Sequence, residues 1–398
     1  MCSALGALVV GSAGLAPGAA AASDIQSKQW YLKSMGADEI WKYSTGKGVK
    51  VAVIDTGVNP ATSSLKGQVL TDDLPKAVRY RATDDYNGHG TSMAEIIAGT
   101  GAGGGIKGLA PSAKIIPIRI YLTEAKGAKD DPKSPSSAEA IRAAADSDAK
   151  IISMSFGSPY PDPNEEAAVK YAASKGKLMF AAVGNGGEKG KVEYPVTDPY
   201  VVGVGATDSS GTVGKFSTKS DYVDFAAPGV NIPGWCDAKF TEYCNSWGSS
   251  PSTAIASASA ALVWSVHPDW TANQVLRTLL DTAGRSWPKD KPSRYLGYGL
   301  IRPRRVLINK NIDPGPANVD PLAAENGDDT SAAGTPSAKT PSSKPAKDPG
   351  SSSGSTSAAA KTTGSDGGTQ TWVIVGAAAA VLVVGGAGFA ALRARRNA

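Results

Sequence analysis

The chain has 398 residues and a formal net charge of +5, so it is long enough for one large domain with appendages. Basic residues cluster only within residues 302–305 and 393–396, and this charge pattern gives no support for a nucleic-acid-binding protein. The few Cys and His residues have no metal-ligand spacing, and we expect neither a bound metal nor another cofactor.

Residues 1–22 are mostly Ala, Gly, Leu and Val, with small residues at 19–22. This pattern indicates the apolar region and cleavage site of a secretory signal peptide, which we predict at residues 1–22. The first charged residue is Asp24, so the basic region that normally opens such a signal is missing. A disordered N-terminus is the alternative interpretation.

Between residues 23 and 312, short apolar runs alternate with helical patterns, as is typical of an α/β domain. Buried strands are predicted at residues 50–55, 114–120, 149–153, 178–183 and 201–204. Helices are predicted at residues 93–98, 137–145, 165–174, 250–267 and 271–282, the last with Thr271 as its N-cap. We therefore predict a doubly wound, mainly parallel sheet with helices on both faces. Active sites of such sheets lie at the carboxyl ends of the strands, where Asp55 and Asn185 are expected.

His89 stands between two glycines, Gly88 and Gly90, at the start of a predicted helix. Glycine lowers helix propensity, but it allows a neighbouring backbone to approach closely. The only other histidine, His267, precedes Pro268 at a predicted helix end and is expected to cap that helix. A serine nucleophile needs an imidazole base at neutral pH, so His89 is the candidate base. The alternative is a purely structural histidine.

Asp55 ends a predicted buried strand, and Ser250 begins a helix of small residues. A serine hydroxyl becomes nucleophilic when an imidazole takes its proton, and a carboxylate must orient that imidazole. The free N–H groups at a helix start also stabilise an oxyanion. We therefore predict a catalytic triad of Asp55, His89 and Ser250, with the adjacent Ser249 as a less favoured nucleophile.

Asn185 follows another predicted strand and is flanked by Gly184 and Gly186. Its side-chain amide can donate a hydrogen bond to a tetrahedral oxyanion, although an ordinary turn has the same pattern. Cys236 and Cys244 are eight positions apart, and in an exported protein this pair predicts one local disulfide.

Four segments resemble the signature segments of subtilisin-like serine peptidases. They are residues 51–58 (VAVIDTGV), 87–94 (NGHGTSMA), 182–186 (AVGNG) and 248–250 (GSS). The resemblance covers about residues 28–305 and implies that fold and a serine endopeptidase activity. Three positions depart from the family pattern: Ser249 replaces a threonine, Glu95 replaces a small residue, and Ala254 replaces a proline.

Residues 152–157 resemble the strand that pairs with the substrate in this family. The resemblance implies that Ser153, Ser155, Phe156 and Gly157 bind substrate, although a core strand would have the same sequence pattern.

The composition changes to Pro, Ser, Gly, Ala and Asp at residues 313–370, which predicts a disordered linker. Residues 371–392 follow without a charge, and a helix of about 21 residues would cover roughly 31 Å, the thickness of a bilayer core. Arginines in the tail at 393–398 are expected to stay cytoplasmic. We therefore predict a single-pass plasma-membrane protein with its catalytic domain outside the cell.

This order of segments is similar to that of the mycosins, the membrane-anchored subtilisin-like proteases of type VII secretion. The short stretch between residues 22 and 29 also lacks room for a folded inhibitory prodomain. The resemblance implies protein or peptide substrates and a type VII secretion complex as partner. Two alternatives stay open: a scaffold whose proteolysis is dispensable, and a general degradative protease of the cell surface.

Overall fold

Parallel strands form the central sheet of the computed structural model, which describes residues 25–122 and 133–326. The six strands of this sheet are β1 Lys50–Asp55, β2 Lys114–Arg119, β3 Ile151–Met154, β4 Leu178–Ala182, β5 Val201–Thr207 and β6 Phe225–Pro228. Their order across the sheet is β2-β1-β3-β4-β5-β6, and every neighbouring pair is parallel. A separate antiparallel hairpin consists of β7 Val230–Trp235 and β8 Tyr243–Trp247.

Helices cover both faces of the central sheet. They are α1 Trp30–Met35, α2 Ala37–Ile40, α3 His89–Ala98, α4 Ser137–Asp146, α5 Pro163–Ser174, α6 Ser249–Val266, α7 Ala272–Thr282 and α8 Pro303–Ile308. Within β1, Val51 and Val53 join the core with α3 and α6, while Ala52 and Ile54 join the core with α4 and α5. The strand is therefore apolar on both sides, as expected for a buried parallel strand. The predicted α/β fold with a mainly parallel sheet is confirmed.

Local sequence signals explain where several helices begin. Ser136 and Glu139 form a reciprocal capping box at the start of α4, and Thr271 and Gln274 form another at the start of α7. These side chains satisfy backbone N–H groups that have no partner inside the helix. The predicted N-cap role of Thr271 is confirmed, and His267 lies at the C-cap of α6 as predicted.

Helix α6, which carries the predicted nucleophile Ser250, is almost entirely buried. All residues from Ser249 to Trp264 are buried, and most are Ala or Ser. Their small side chains let the helix backbone approach the sheet, where Ser252 Oγ donates to the backbone oxygens of Ala227 and Pro228. Close packing of this kind fixes the position of the helix N-terminus.

The ordered domain extends beyond the predicted boundary at residue 312. Residues 313–326 lie against the domain, where Ala317 O accepts hydrogen bonds from Thr271 and Asn273, and Asn326 Oδ1 accepts one from Tyr200 N. Leu322 is buried in the core. Residues 313–326, which were predicted to open the disordered linker, thus make hydrogen bonds with the domain and bury Leu322 and Ala323. Isolated polar contacts and two apolar side chains leave no periodic pattern in the sequence.

Several predicted segments lie outside the described residues. These are the signal peptide at 1–22, the linker beyond residue 326, the membrane span at 371–392 and the basic tail at 393–398. Within residues 25–122 and 133–326, no helix combines the length and apolar character needed to cross a membrane.

Candidate active site

The sheet topology places the predicted site residues at a natural binding position. From β1 the chain moves to β2 on one side and later to β3 on the other, so the strand order reverses between β1 and β3. In open parallel sheets, ligands bind outside the carboxyl ends of the strands at this switch point. Asp55 is the last residue of β1, and Ser155 follows the last residue of β3.

Asp55 and His89 form a direct hydrogen-bonded pair. His89 Nδ1 lies 2.7 Å from Asp55 Oδ1 and 3.0 Å from Asp55 Oδ2. The carboxylate is fully buried, and its Oδ1 also accepts from Thr56 N at 2.7 Å, whereas the imidazole keeps 31% of its surface exposed. The carboxylate therefore lies behind the ring, with the opposite edge of the ring on the solvent side.

Gly90 allows the close approach that the sequence predicted around His89. A Cβ atom at Gly90 would lie 2.2 Å from Gly57 O and 3.0 Å from Asp55 Cβ. Any larger residue would push α3 away from β1 and lengthen the contact between Asp55 and His89.

Asp85 organises the turn before His89, although it was not among the site residues predicted from the sequence. Its Oδ1 accepts hydrogen bonds from Thr56 Oγ1 and from the backbone N–H groups of Asn87 and Gly88, at 2.8, 3.0 and 2.8 Å. Its Oδ2 accepts from Thr91 N at 2.9 Å and Thr91 Oγ1 at 2.6 Å. This buried carboxylate therefore joins the end of β1 to the first turn of α3. An Asp two residues before an Asn-Gly pair is a turn signal that could have indicated it.

Opposing effects set the protonation of His89. Burial lowers the pKa of the imidazole, but the charge and hydrogen bond of Asp55 and the charge of Asp85 outweigh burial and raise the pKa above its ordinary value. The two carboxylates thus stabilise an imidazolium at a helix N-terminus, where the helix dipole alone would disfavour a cation.

Ser250 lies at the N-terminus of α6, beside the segment that follows β3. Ser250 Oγ is 3.4 Å from Ser155 O, and Ser155 Oγ donates to Ser250 O at 3.3 Å. Ser250 lines a cleft of about 660 Å³ together with His89 and Asn185. The hydroxyl, the imidazole and the amide therefore share one solvent-accessible space.

Contacts with Ser249 fix the orientation of the Asn185 amide. Ser249 N donates to Asn185 Oδ1 at 2.9 Å, and since a backbone N–H can only donate, the acceptor must be the amide oxygen. Asn185 Nδ2 lies on the other side of the amide, next to Gly248. Ser249 itself is fully buried and also donates to Asn185 Oδ1, whereas Ser250 is 8% exposed and borders the cleft. The geometry favours Ser250 over Ser249 as the nucleophile.

The β7–β8 hairpin forms one wall of the cleft. Trp235 and Trp247 line the cleft from the two strands, and a disulfide joins Cys236 to Cys244 across the hairpin. Trp235 N donates to Ser92 Oγ on α3 at 2.8 Å. The hairpin is thereby attached to the helix that begins with His89.

The four predicted substrate-binding residues differ in exposure. Ser153 lies inside β3 and is 1% exposed, so its side chain is out of reach of a substrate. Ser155 is buried against Ser250, Phe156 is half-buried, and Gly157 is exposed. The accessible part of this segment therefore begins at Phe156.

A protein family and several known proteins match the part of the chain that contains this site. The Subtilase family model matches residues 46–299. Subtilisin Savinase from Lederbergia lenta is 34% identical over 241 residues, which is 60% of this chain and 84% of that protein.

Two solved mycosin structures are similar to this chain. The crystal structure of MycP1 from Mycobacterium smegmatis has a TM-score of 0.59 and 26% identity, covering 74% of this chain and 88% of that one. The MycP3 protease from the type VII (ESX-3) secretion system has a TM-score of 0.58 and 29% identity, covering 70% and 87%. The chain belongs to the subtilase family and is a subtilisin-like serine peptidase whose structural neighbours include mycosins.

Proposed function

We propose that Asp55, His89 and Ser250 are the catalytic triad of this peptidase and that Asn185 is an oxyanion donor. The observation that carries this proposal is the hydrogen bond between Asp55 and His89 Nδ1, with His89, Ser250 and Asn185 bordering one cleft. A neutral imidazole that donates through Nδ1 has its lone pair on Nε2. Only that tautomer can accept a proton from a serine hydroxyl.

The reaction follows from these positions. His89 Nε2 takes the Ser250 proton as Oγ attacks the scissile carbonyl carbon, and the carbonyl oxygen becomes an oxyanion. Asn185 Nδ2 and the free N–H of Ser250 at the start of α6 donate to that oxyanion. The imidazolium then protonates the leaving amine, and the C–N bond breaks to leave an acyl-enzyme on Ser250. Water, deprotonated by His89, hydrolyses the ester and restores the hydroxyl.

Substrate binding is assigned to the backbone of residues 155–157. This segment leaves the sheet beside Ser250 and is partly exposed, so its N–H and C=O groups can pair with an extended peptide. Phe156 and Gly157 border that position, whereas Ser153 supports it from within β3.

Substitution of the two adjacent serines tests the nucleophile. We expect Ser250→Ala to abolish labelling by a fluorophosphonate probe, because Ser250 is the serine whose hydroxyl the proposed mechanism activates through His89. Ser249→Ala is the matched control and is expected to keep labelling, since Ser249 is buried behind Asn185. Undiminished labelling of folded Ser250→Ala would contradict the assignment.

We further propose that the peptidase acts on exported proteins together with a type VII secretion complex. The similarity to two mycosin structures and the order of predicted segments support this proposal. The test compares a deletion strain complemented with wild-type protein or with Ser250→Ala. Export that is restored only by wild type supports a proteolytic role, whereas export restored by both supports the scaffold alternative. Normal export in the deletion strain supports the general degradative protease.

We also propose, from the sequence alone, that residues 371–392 anchor the domain outside the plasma membrane. A chain truncated before residue 371 is expected to be released as soluble enzyme. Recovery of the truncated protein in the membrane fraction would contradict the proposed anchor.

A further inference from the structure

A buried acid lies on the same helix as His89. Glu95 is six positions further along α3 and is fully buried, and it is one of the three positions that depart from the family pattern. The catalytic steps proposed above make no use of this carboxyl group. Its surroundings determine whether this buried side chain is charged or neutral.

Polar groups from three elements surround Glu95. Tyr243 Oη, from β8, donates to Glu95 Oε2 at 3.2 Å. Thr62 in the loop after β1 and Trp235 on β7 also lie near enough to lower its pKa. Ser64 Oγ belongs to the same group. A Cβ atom placed on Gly105 would contact both Ser64 Oγ, at 2.2 Å, and Tyr243 Oη, at 3.1 Å, so the two oxygens lie on the same side of Gly105.

Four of these buried polar atoms, Glu95 Oε1, Thr62 Oγ1, Ser64 Oγ and Trp235 Nε1, make no hydrogen bond of good geometry with the described residues. Thr62 and Trp235 still interact with Glu95, and Ser64 with Tyr243, so the contacts within the cluster are long or poorly aligned. Buried polar atoms with poorly formed hydrogen bonds cost free energy. A protonated carboxyl can both donate and accept hydrogen bonds in such a group, whereas a carboxylate can only accept.

The electrostatic environment favours the neutral acid. Burial raises the pKa of Glu95 to about 7, and the three groups that oppose this effect are the neutral donors Thr62, Tyr243 and Trp235. No Lys, Arg or His within the described part of the chain contributes to that balance. Tyr31 on α1 also faces the site. Burial is the main cause of the raised pKa values of Tyr31 and Tyr243, and the negative charge of Glu95 raises both values further.

The same side chains connect Glu95 to the cleft. The rings of Trp235 and Tyr243 stack with centroids 3.8 Å apart, and Trp235 N donates to Ser92 Oγ on α3. Trp235 and Ser92 both line the cleft that His89 and Ser250 share. A change in the charge of Glu95 therefore reaches Trp235, in the cleft wall formed by the hairpin, through Tyr243.

We propose that Glu95 is a positioning residue that holds the β7–β8 hairpin against α3 as a neutral acid and releases the hairpin when it ionises. This inference rests on the proposed function, because it assigns to Glu95 the placement of the wall beside His89. An ionised Glu95 has no cation to pair with, so the structure relieves its charge by admitting water or by moving Trp235 and Tyr243. Either response disturbs the cleft from behind.

The pH dependence of fluorophosphonate inactivation tests the proposal in the full chain. Wild-type rate constants should rise with pH as His89 loses its proton and then fall by about tenfold between pH 7 and pH 9 as Glu95 ionises. Glu95→Gln keeps a neutral group of the same shape, so its rate constant should reach a plateau without an alkaline decrease. Glu165→Gln is the matched control, because Glu165 is a buried acid on α5 across the sheet, and it should keep the wild-type profile.

A second measurement does not depend on catalysis. Hydrogen exchange of residues 230–247 in Ser250→Ala, corrected for intrinsic rates, should show lower protection at pH 9 than at pH 6. The added substitution Glu95→Gln should remove that difference. Identical pH dependence with Glu and Gln at position 95, in either experiment, would overturn the proposal.

The two measurements separate this inference from the proposed function. If Ser250→Ala still reacts with the probe, the nucleophile assignment fails, while the exchange measurement still decides the role of Glu95. If Glu95→Gln fails to fold, Tyr243→Phe replaces it, since loss of the phenol should lower hairpin protection already at pH 6. Wild-type protection in folded Tyr243→Phe at pH 6 would count against the proposal.

Discussion

The two faces of the central sheet are buried in different ways. The face covered by α4 and α5 is mostly aliphatic, and its helices begin with local caps at Ser136 and Asp162. The face covered by α3 and α6 contains many buried polar groups, including Asp55, Asp85 and Glu95. One face therefore contributes mainly to stability, whereas the other also carries the chemistry.

This difference shows how the fold supports a charged site. Buried charges are tolerated where fixed donors surround them, and Asp85 alone accepts five such hydrogen bonds within the turn before His89. The face covered by α4 and α5 is stabilised mainly by packing of aliphatic side chains. Substitutions on the two faces should therefore separate activity from stability.

The largest effect is expected for Asp55→Asn. The amide keeps the size of the carboxylate but can donate to His89 Nδ1, which favours the wrong imidazole tautomer, and kcat should fall by about 10⁴-fold. The free energy of unfolding should change far less, and both are measured by peptide hydrolysis and urea unfolding. Near wild-type turnover in Asp55→Asn would remove the carboxylate from the proposed mechanism.

Asn185→Ala should have the next largest effect. It removes one oxyanion donor, so kcat should fall by about 10²–10³-fold with a smaller change in KM. It also removes the acceptor for Ser249 N, and Asn185→Asp serves as the control because it keeps an acceptor oxygen. Recovery of turnover in Asn185→Asp would show that the contact with Ser249, and not oxyanion donation, is the important role.

A matched pair of isoleucines separates the two faces directly. Ile141 on α4 and Ile255 on α6 are both fully buried, and each Ile→Ala change should cost about 3 kcal/mol of unfolding free energy. Only Ile255→Ala should also slow fluorophosphonate inactivation of the folded protein, because α6 positions Ser250. Equal loss of reactivity in folded Ile141→Ala would show that the faces are not separable in this way.

The smallest expected effect is a difference between the pKa values of the two histidines. Asp55 and Asp85 raise the pKa of His89 against the effect of burial, whereas burial lowers the pKa of His267. NMR titration of the imidazole resonances in Ser250→Ala should therefore show one histidine above and one below the ordinary value of about 6.5. Two unshifted titrations would contradict the described environments.

The raised pKa of His89 determines the direction in which pH changes the stability of the folded state. The folded state binds the His89 proton more tightly than the unfolded state does, so this stabilisation is fully present below the unfolded pKa of about 6.5. It is lost as pH rises through the folded pKa. Activity changes in the opposite direction, because the neutral imidazole is the proposed base.

Local patterns explain which parts of the molecule could be predicted from the sequence. Strand β1 and helices α4 and α7 carry their signals within a few residues, and the segments around Asp55, His89, Asn185 and Ser250 resemble a family. The hairpin strands β7 and β8 were not predicted, because both are partly exposed and β7 also contains Pro233 and Gly234. Short exposed strands lack the continuous apolar run that marks a buried strand.

Other features depend on contacts between distant positions. The turn signal before Asn87 could have indicated the contacts of Asp85 with Asn87 and Gly88, but its contact with Thr56 spans 29 positions and no local pattern predicts it. Glu95 was visible as a departure from the family pattern, but its contact with Tyr243 spans 148 positions along the chain. Such contacts become apparent only in the folded structure.

The most direct test of the central claim is the location of the covalent adduct. The purified chain is treated with a fluorophosphonate, digested, and analysed by mass spectrometry to find the modified residue. The proposed mechanism predicts a single phosphonylated serine, Ser250, and slow formation of that adduct in Asp55→Asn. An adduct on Ser249 or on another residue, with Ser250 unmodified, would contradict it.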